Sequence, residues 1–106
     1  MLTMLMPLLL AGQPIAAGPC VEPIPAGAVA KGKPWFINGE VLEFGERRWE
    51  KYGLPRVLMP REVEQIGEYK GAAVYKEAGL GVGEYEVLYV LVDLADCSFQ
   101  PYQVKG

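Results

Sequence analysis

The residues able to do chemistry in this chain are few, and their types exclude more than they offer. The 106 residues include no histidine, a single serine (Ser98), a single threonine (Thr3) and two cysteines, Cys20 and Cys97. Ser98 therefore has no imidazole base, and no spacing places a lysine beside it. Zinc and copper need imidazoles or clustered thiolates, so no such metal centre is expected, and no cofactor. Asp93 and Asp96 lack the alternating acids and central glycine of a calcium loop and belong near a strand end. Gly79-Leu80-Gly81-Val82-Gly83 is rich in glycine, but it precedes a strand rather than a helix, so it reads as a loop and not a phosphate cradle. Glu84 and Glu86 are spaced to share one face of a strand, as a carboxylate pair would require. At the exposed start of a strand such glutamates form a solvated face. The sequence thus predicts no catalytic residues, and the chain reads as a non-enzyme.

Two other groups of residues carry more weight. Cys20 and Cys97 are 77 positions apart. Without a CxxC spacing they read as a structural disulfide, whose closure of so long a loop is worth about 4–5 kcal/mol in the chain-entropy view. Pro19 directly before Cys20 argues against a lipid-anchored cysteine. The second group is aromatic: two tryptophans, six tyrosines and three phenylalanines are many for so small a domain. Most must form the core, and the remainder predict an interface. The candidates are Trp35, Phe36, Trp49, Tyr52, Phe99 and Tyr102.

Charge and the N-terminus bound the setting. The net charge is −3, the acids are mostly glutamate, and no basic stripe exists, so nucleic-acid binding is not expected. Few amide side chains and many ionic ones fit a heat-adapted source. Residues 1–17 hold an apolar run, Leu2 to Ala11, too short to span a bilayer. Gly12 and Pro14 follow it, and small residues at 16–17 suit cleavage after Ala17. These residues read as a signal peptide, or as a hydrophobic arm that is retained, although no Lys or Arg precedes the run. An exported, extracellular or envelope location follows, with membrane contact only through this segment if it is uncleaved.

The elements that must position these residues are β-rich. Residues 18–34, with Pro19, Pro23, Pro25 and Pro34, predict an extended arm that lies along a sheet edge. Residues 35–106 form the domain. Trp35–Ile37 and Glu40–Phe44 around Asn38-Gly39 predict a hairpin, because Asn-Gly accepts the positive φ angles of a type I′ turn. Gly45 reads as a bulge, Glu46 to Tyr52 as strand, and Gly53-Leu54-Pro55 as its end. Pro60 suits the first position of one helical turn over residues 59–64. Lys70-Gly71 joins a second hairpin, Ile66–Tyr69 with Ala72–Glu77. The run from Glu84 to Leu94 becomes apolar on both faces, as a central strand does. The predicted fold is all-β, a small antiparallel barrel or sandwich with one short helical turn and a Pro-rich N-terminal arm.

Three phrases, Lys51-Tyr52-Gly53-Leu54-Pro55-Arg56, Ile66-Gly67-Glu68-Tyr69-Lys70-Gly71 and Cys97-Ser98-Phe99-Gln100-Pro101-Tyr102-Gln103, resemble stretches of small uncharacterised exported bacterial proteins. That resemblance implies export and a β-rich body, and no activity. Two functions are expected of such a chain: first a self-assembling structural subunit of filament or surface-layer type, its partner itself or another exported protein. The alternative is a monomeric module that binds a protein or glycan; an envelope enzyme ranks third.

Overall fold

The computed structural model describes residues 15–16, 24–25, 27–81 and 83–105. The cleavage site after Ala17, the apolar run and Cys20 lie outside the described residues. β1 (Ile15–Ala16), in the segment 1–17, pairs antiparallel with β2 (Ile24–Pro25) of the Pro-rich arm.

The body is one antiparallel sheet, as the short strand-like runs and glycine turns predicted. Its strands are β3 (Leu42–Phe44), β4 (Arg47–Lys51), β5 (Arg56–Val57), β6 (Val63–Tyr69), β7 (Ala72–Glu77), β8 (Val87–Asp93) and β9 (Ser98–Val104). The order is β3-β4-β9-β8-β7-β6, with β5 beside β9 and off this path. The sheet curls into a half-barrel until the Phe44 ring of β3 lies against the backbone of Gly67 on β6.

Strand β8 is central and covered on both faces. Leu88 and Val90 point into one apolar cluster with Trp35, Leu42, Trp49, Val74 and Tyr102. Tyr89 and Leu91 point into the other with Leu58, Val63, Tyr75 and Phe99. The period of two along a strand divides the side chains this way. Glu84 and Glu86 precede β8 rather than beginning it, so they share no strand face.

Two turns are built as the residues predict, and one is not. Lys70 and Gly71 both have positive φ (46° and 89°) and close the β6–β7 hairpin. Asn38-Gly39 does not join two strands. Pro34–Ile37 is a one-turn helix, α1, with Pro34 at its start. Gly39 N–H donates to Phe36 O and Glu40 N–H to Trp35 O, the bond pattern of a Schellman stop. An Asn-Gly pair supplies left-handed backbone to a helix end as readily as to a hairpin. Pro34 decided between them, because it sets φ for a first helical turn and offers no N–H to a strand ladder. The hairpin lies seven residues on, where Gly45 (φ 63°) and Glu46 (φ 66°) join β3 to β4. Gly45 is its turn, not a bulge. The helical turn over residues 59–64 is a 3₁₀ turn, Pro60–Glu62.

The arm does not end on a sheet edge. Strands β7 and β8 pair only at Val74↔Val90 and Tyr75↔Tyr89. Beyond that they part, and residues 28–31 fill the gap. Ala73 N–H donates to Ala28 O at 3.1 Å, Ala30 N–H to Leu91 O at 2.8 Å and Lys31 N–H to Val92 O at 3.2 Å. No proline falls between Pro25 and Pro34, so this stretch has the amides a ladder needs. Its alanines, with Ala72 and Ala73, allow close approach. Lys31 Nζ ties the segment to Asp93 at 3.1 Å. Lys33 Nζ donates back to Gly27 O and Val29 O.

Candidate functional site

Most of the aromatic candidates are core residues. Trp49, Phe99 and Tyr102 are fully buried, and Trp35 is nearly so. They sit on strands with apolar cover on each side, or on α1 packed into the curl, so they present no surface to a partner. Only Tyr52 is exposed, and Phe36 is half-buried. The Trp49 ring stacks on Tyr85 at 5.9 Å, with the Arg47 guanidinium over it at 4.9 Å and its Nε1 donating to Phe44 O. Phe36 has the Lys51 ammonium over its face at 3.9 Å. Partial burial holds the Lys51 amine below its ordinary pKa.

The polar residues weighed for chemistry are occupied by turns. Asp93 accepts from Ala95 N–H and Asp96 from Ser98 N–H, so both shape the β8–β9 loop. The Ala95 amide, and after it Lys31, holds the Asp93 carboxyl below the usual range. Glu84 accepts from Gly81 N–H and braces the glycine loop. Glu86 lies 3.9 Å from Arg47. No cysteine among the described residues is free, and Cys97 is buried with left-handed backbone (φ 58°).

The feature that sequence reasoning missed is the stretch from Tyr52 to Arg61. Strand β4 leaves β9 after Lys51, and β5 rejoins it at Arg56↔Phe99 and Val57↔Ser98. Between them the Gln100 side chain, only 4% exposed, fills the gap. Its Nε2 donates to Gly53 O at 3.1 Å and Pro101 O at 3.0 Å, with a longer contact to Tyr52 O. This leaves a short strand on an open side with large apolar side chains in solvent. Leu54 is 82% exposed and Val57 63%, and Tyr52 and Met59 are also exposed. Leu58, buried, anchors the stretch.

Beside it lies a cleft of about 400 Å³ lined by Arg56, Leu58, Arg61, Glu62, Glu77, Ala78 and Tyr89. Arg56 reaches from β5 to the Tyr89 hydroxyl at 3.2 Å. Glu62 turns back to accept Met59 N–H at 2.8 Å. Neither guanidinium has a carboxylate within contact distance among the described residues. The legible signal was the pair Pro55 and Pro60 bracketing Arg56–Met59. Prolines flank strands that cannot be central, and apolar residues there have no sheet to cover.

In comparisons with known proteins the chain matches no family model, no curated protein and no solved structure.

Proposed function

We propose that this chain is an exported, non-catalytic binding module for a protein ligand, tied by a Cys20–Cys97 disulfide. One observation carries the reading: a stretch that exposes Leu54, Val57 and Met59 runs beside a cleft whose two arginines have no carboxylate in contact among the described residues. Soluble domains seldom leave such side chains in solvent unless something docks there. The buried Trp35, Trp49, Phe99 and Tyr102 remove most of the aromatic surface that self-assembly or glycan stacking would use. Segment 28–31 lies within its own sheet, which supports a self-contained fold rather than an exchanged one. Cys97 is not a free thiol, and an oxidising compartment suits a marginal core.

The test is twofold. Non-reducing mass spectrometry should find the chain two protons lighter than its reduced form, and two free thiols would refute the disulfide. Light scattering of the mature chain should return one mass across concentrations, and a displayed-peptide library should yield binders lost in Val57→Lys. A library without strip-dependent binders would overturn the binding module. Concentration-dependent growth would favour the self-assembling subunit.

A further inference from the structure

The docking reading can be taken to the chemistry of the ligand, and the further step rests on that reading. The three outer strands of the sheet differ in how they are guarded. Strand β6 carries Glu64, Gln65 and Glu68 in solvent and has a bulge between Gln65 and Gly67. Charged side chains and bulges are the usual devices that prevent an edge from pairing. Strand β3 has three residues, and its Phe44 ring is folded onto Gly67. Strand β5 (Arg56–Val57) has no bulge, and its one charged side chain, Arg56, is turned onto the Tyr89 hydroxyl instead of lying along the edge.

Its backbone is free to pair. Leu58 N–H donates to Cys97 O at 3.2 Å, which makes Leu58 and Cys97 a bonded pair of the antiparallel ladder. Bonded and non-bonded pairs alternate along such a ladder. Val57, opposite Ser98, is therefore non-bonded toward β9. Its N–H and C=O point to the open side, next to its exposed side chain.

Charge gives the second coordinate. Arg56 is adjacent to Val57 in sequence, and its guanidinium is oriented by the Tyr89 hydroxyl and lies over the Tyr89 ring, 5.9 Å from its centroid. Arg61 lines the same cleft. A guanidinium held by one hydrogen bond keeps its other N–H groups for a planar, two-oxygen acceptor. Of the two carboxylates that line the cleft among the described residues, Glu62 is engaged by Met59 N–H, and Glu77 is the other. A cleft of about 400 Å³ holds one or two side chains, not a folded surface.

We propose that an extended segment of a protein partner adds to the open side of β5, bonds the Val57 N–H and C=O, and places one Asp or Glu carboxylate on Arg56 and Arg61. Apolar side chains of that segment cover Leu54, Val57 and Met59, and strand addition supplies the geometry.

The experiment uses the full mature chain and a displayed library of extended eight-residue peptides, followed by titration of synthetic winners. Selected peptides should carry an acid at one fixed position. Replacing it with Asn or Gln, or N-methylating the backbone beside it, should weaken binding about tenfold or more. Arg56→Gln should do the same, and Glu77→Gln should tighten binding. Val57→Pro removes an N–H that β9 does not use, so this variant should keep its fold and lose binding. Strip-dependent binders without an acid, or binders indifferent to N-methylation and to Val57→Pro, would overturn the proposal while leaving a binding module in place. If no strip-dependent peptide emerges, both readings fall. Loss of self-association in Val57→Pro would assign the edge to a second copy of this chain and overturn the foreign partner.

Discussion

The side-chain amide of Gln100, buried on β9, donates to the backbone carbonyl of Gly53 at 3.1 Å across the gap between β4 and β5. One side chain thereby satisfies the loop that lets a single strand be flanked by two others in succession. It also sets where β5 begins, and so where the open edge and its cleft stand.

Gln100→Leu keeps the volume and removes the donor. The carbonyls of Tyr52 and Gly53 then lose a buried partner, at a cost of about 1–3 kcal/mol. The unfolding midpoint in denaturant should fall, and hydrogen exchange should quicken around residues 52–55 before it does so in β8. An unchanged midpoint would mean that solvent already satisfies those carbonyls.

Glu46 is an exposed residue held in left-handed backbone, a conformation that costs an L-residue about 1–2 kcal/mol. Part of that gain is offset by the greater freedom of glycine in the unfolded chain. Glu46→Gly should therefore raise stability by about 0.5–1 kcal/mol. Gly39→Val should lower it, because Gly39 (φ 67°) ends α1 in the same backbone region. Matching midpoints for both variants and the parent would contradict the two turn assignments.

A Cβ on Gly67 would stand 3.1 Å from the Phe44 ring, closer than an ordinary contact. Gly67→Ala should then cost about 1 kcal/mol through crowding where the curl closes. In a Phe44→Leu background the cost should shrink. A double-mutant cycle reads this coupling directly, and additive effects would show that β3 and β6 do not meet there.

Burial pushes the Tyr75 phenol up from 10.0 to about 12; burial, and then the neighbouring Tyr69, also raise Tyr102. Both hydroxyls are buried without a hydrogen-bond partner among the described residues. The folded chain keeps these protons where the unfolded chain loses them. Their contribution to stability is full below pH 10 and declines as pH rises toward about 12. Ultraviolet titration should show a late-ionising fraction of tyrosines that appears together with loss of the near-ultraviolet circular dichroism. Ionisation of every tyrosine near 10 with the fold intact would refute the assignment.

Local pattern was enough to determine the class of fold. The Lys70-Gly71 turn with the runs on either side of it, and the apolar run of β8, each depend on neighbours within a few residues, so they are legible without the whole. Pro60 announced the 3₁₀ turn for the same reason. Three matters were decided only in three dimensions. Asn38-Gly39 satisfies a helix end and a hairpin equally, and the choice fell to Pro34 and to the burial of Trp35. Segment 28–31 entered the sheet because β7 and β8 diverge, a distance set by the curl and by four small alanines. The aromatic residues were sorted into core and surface by which strands flank them. Trp49 and Tyr102 vanish between neighbours far away in sequence, whereas Tyr52 and Val57 stay in solvent because no strand among the described residues follows on their side. Composition reports how many apolar side chains a chain must place; only the order of strands in the sheet decides which of them are left uncovered.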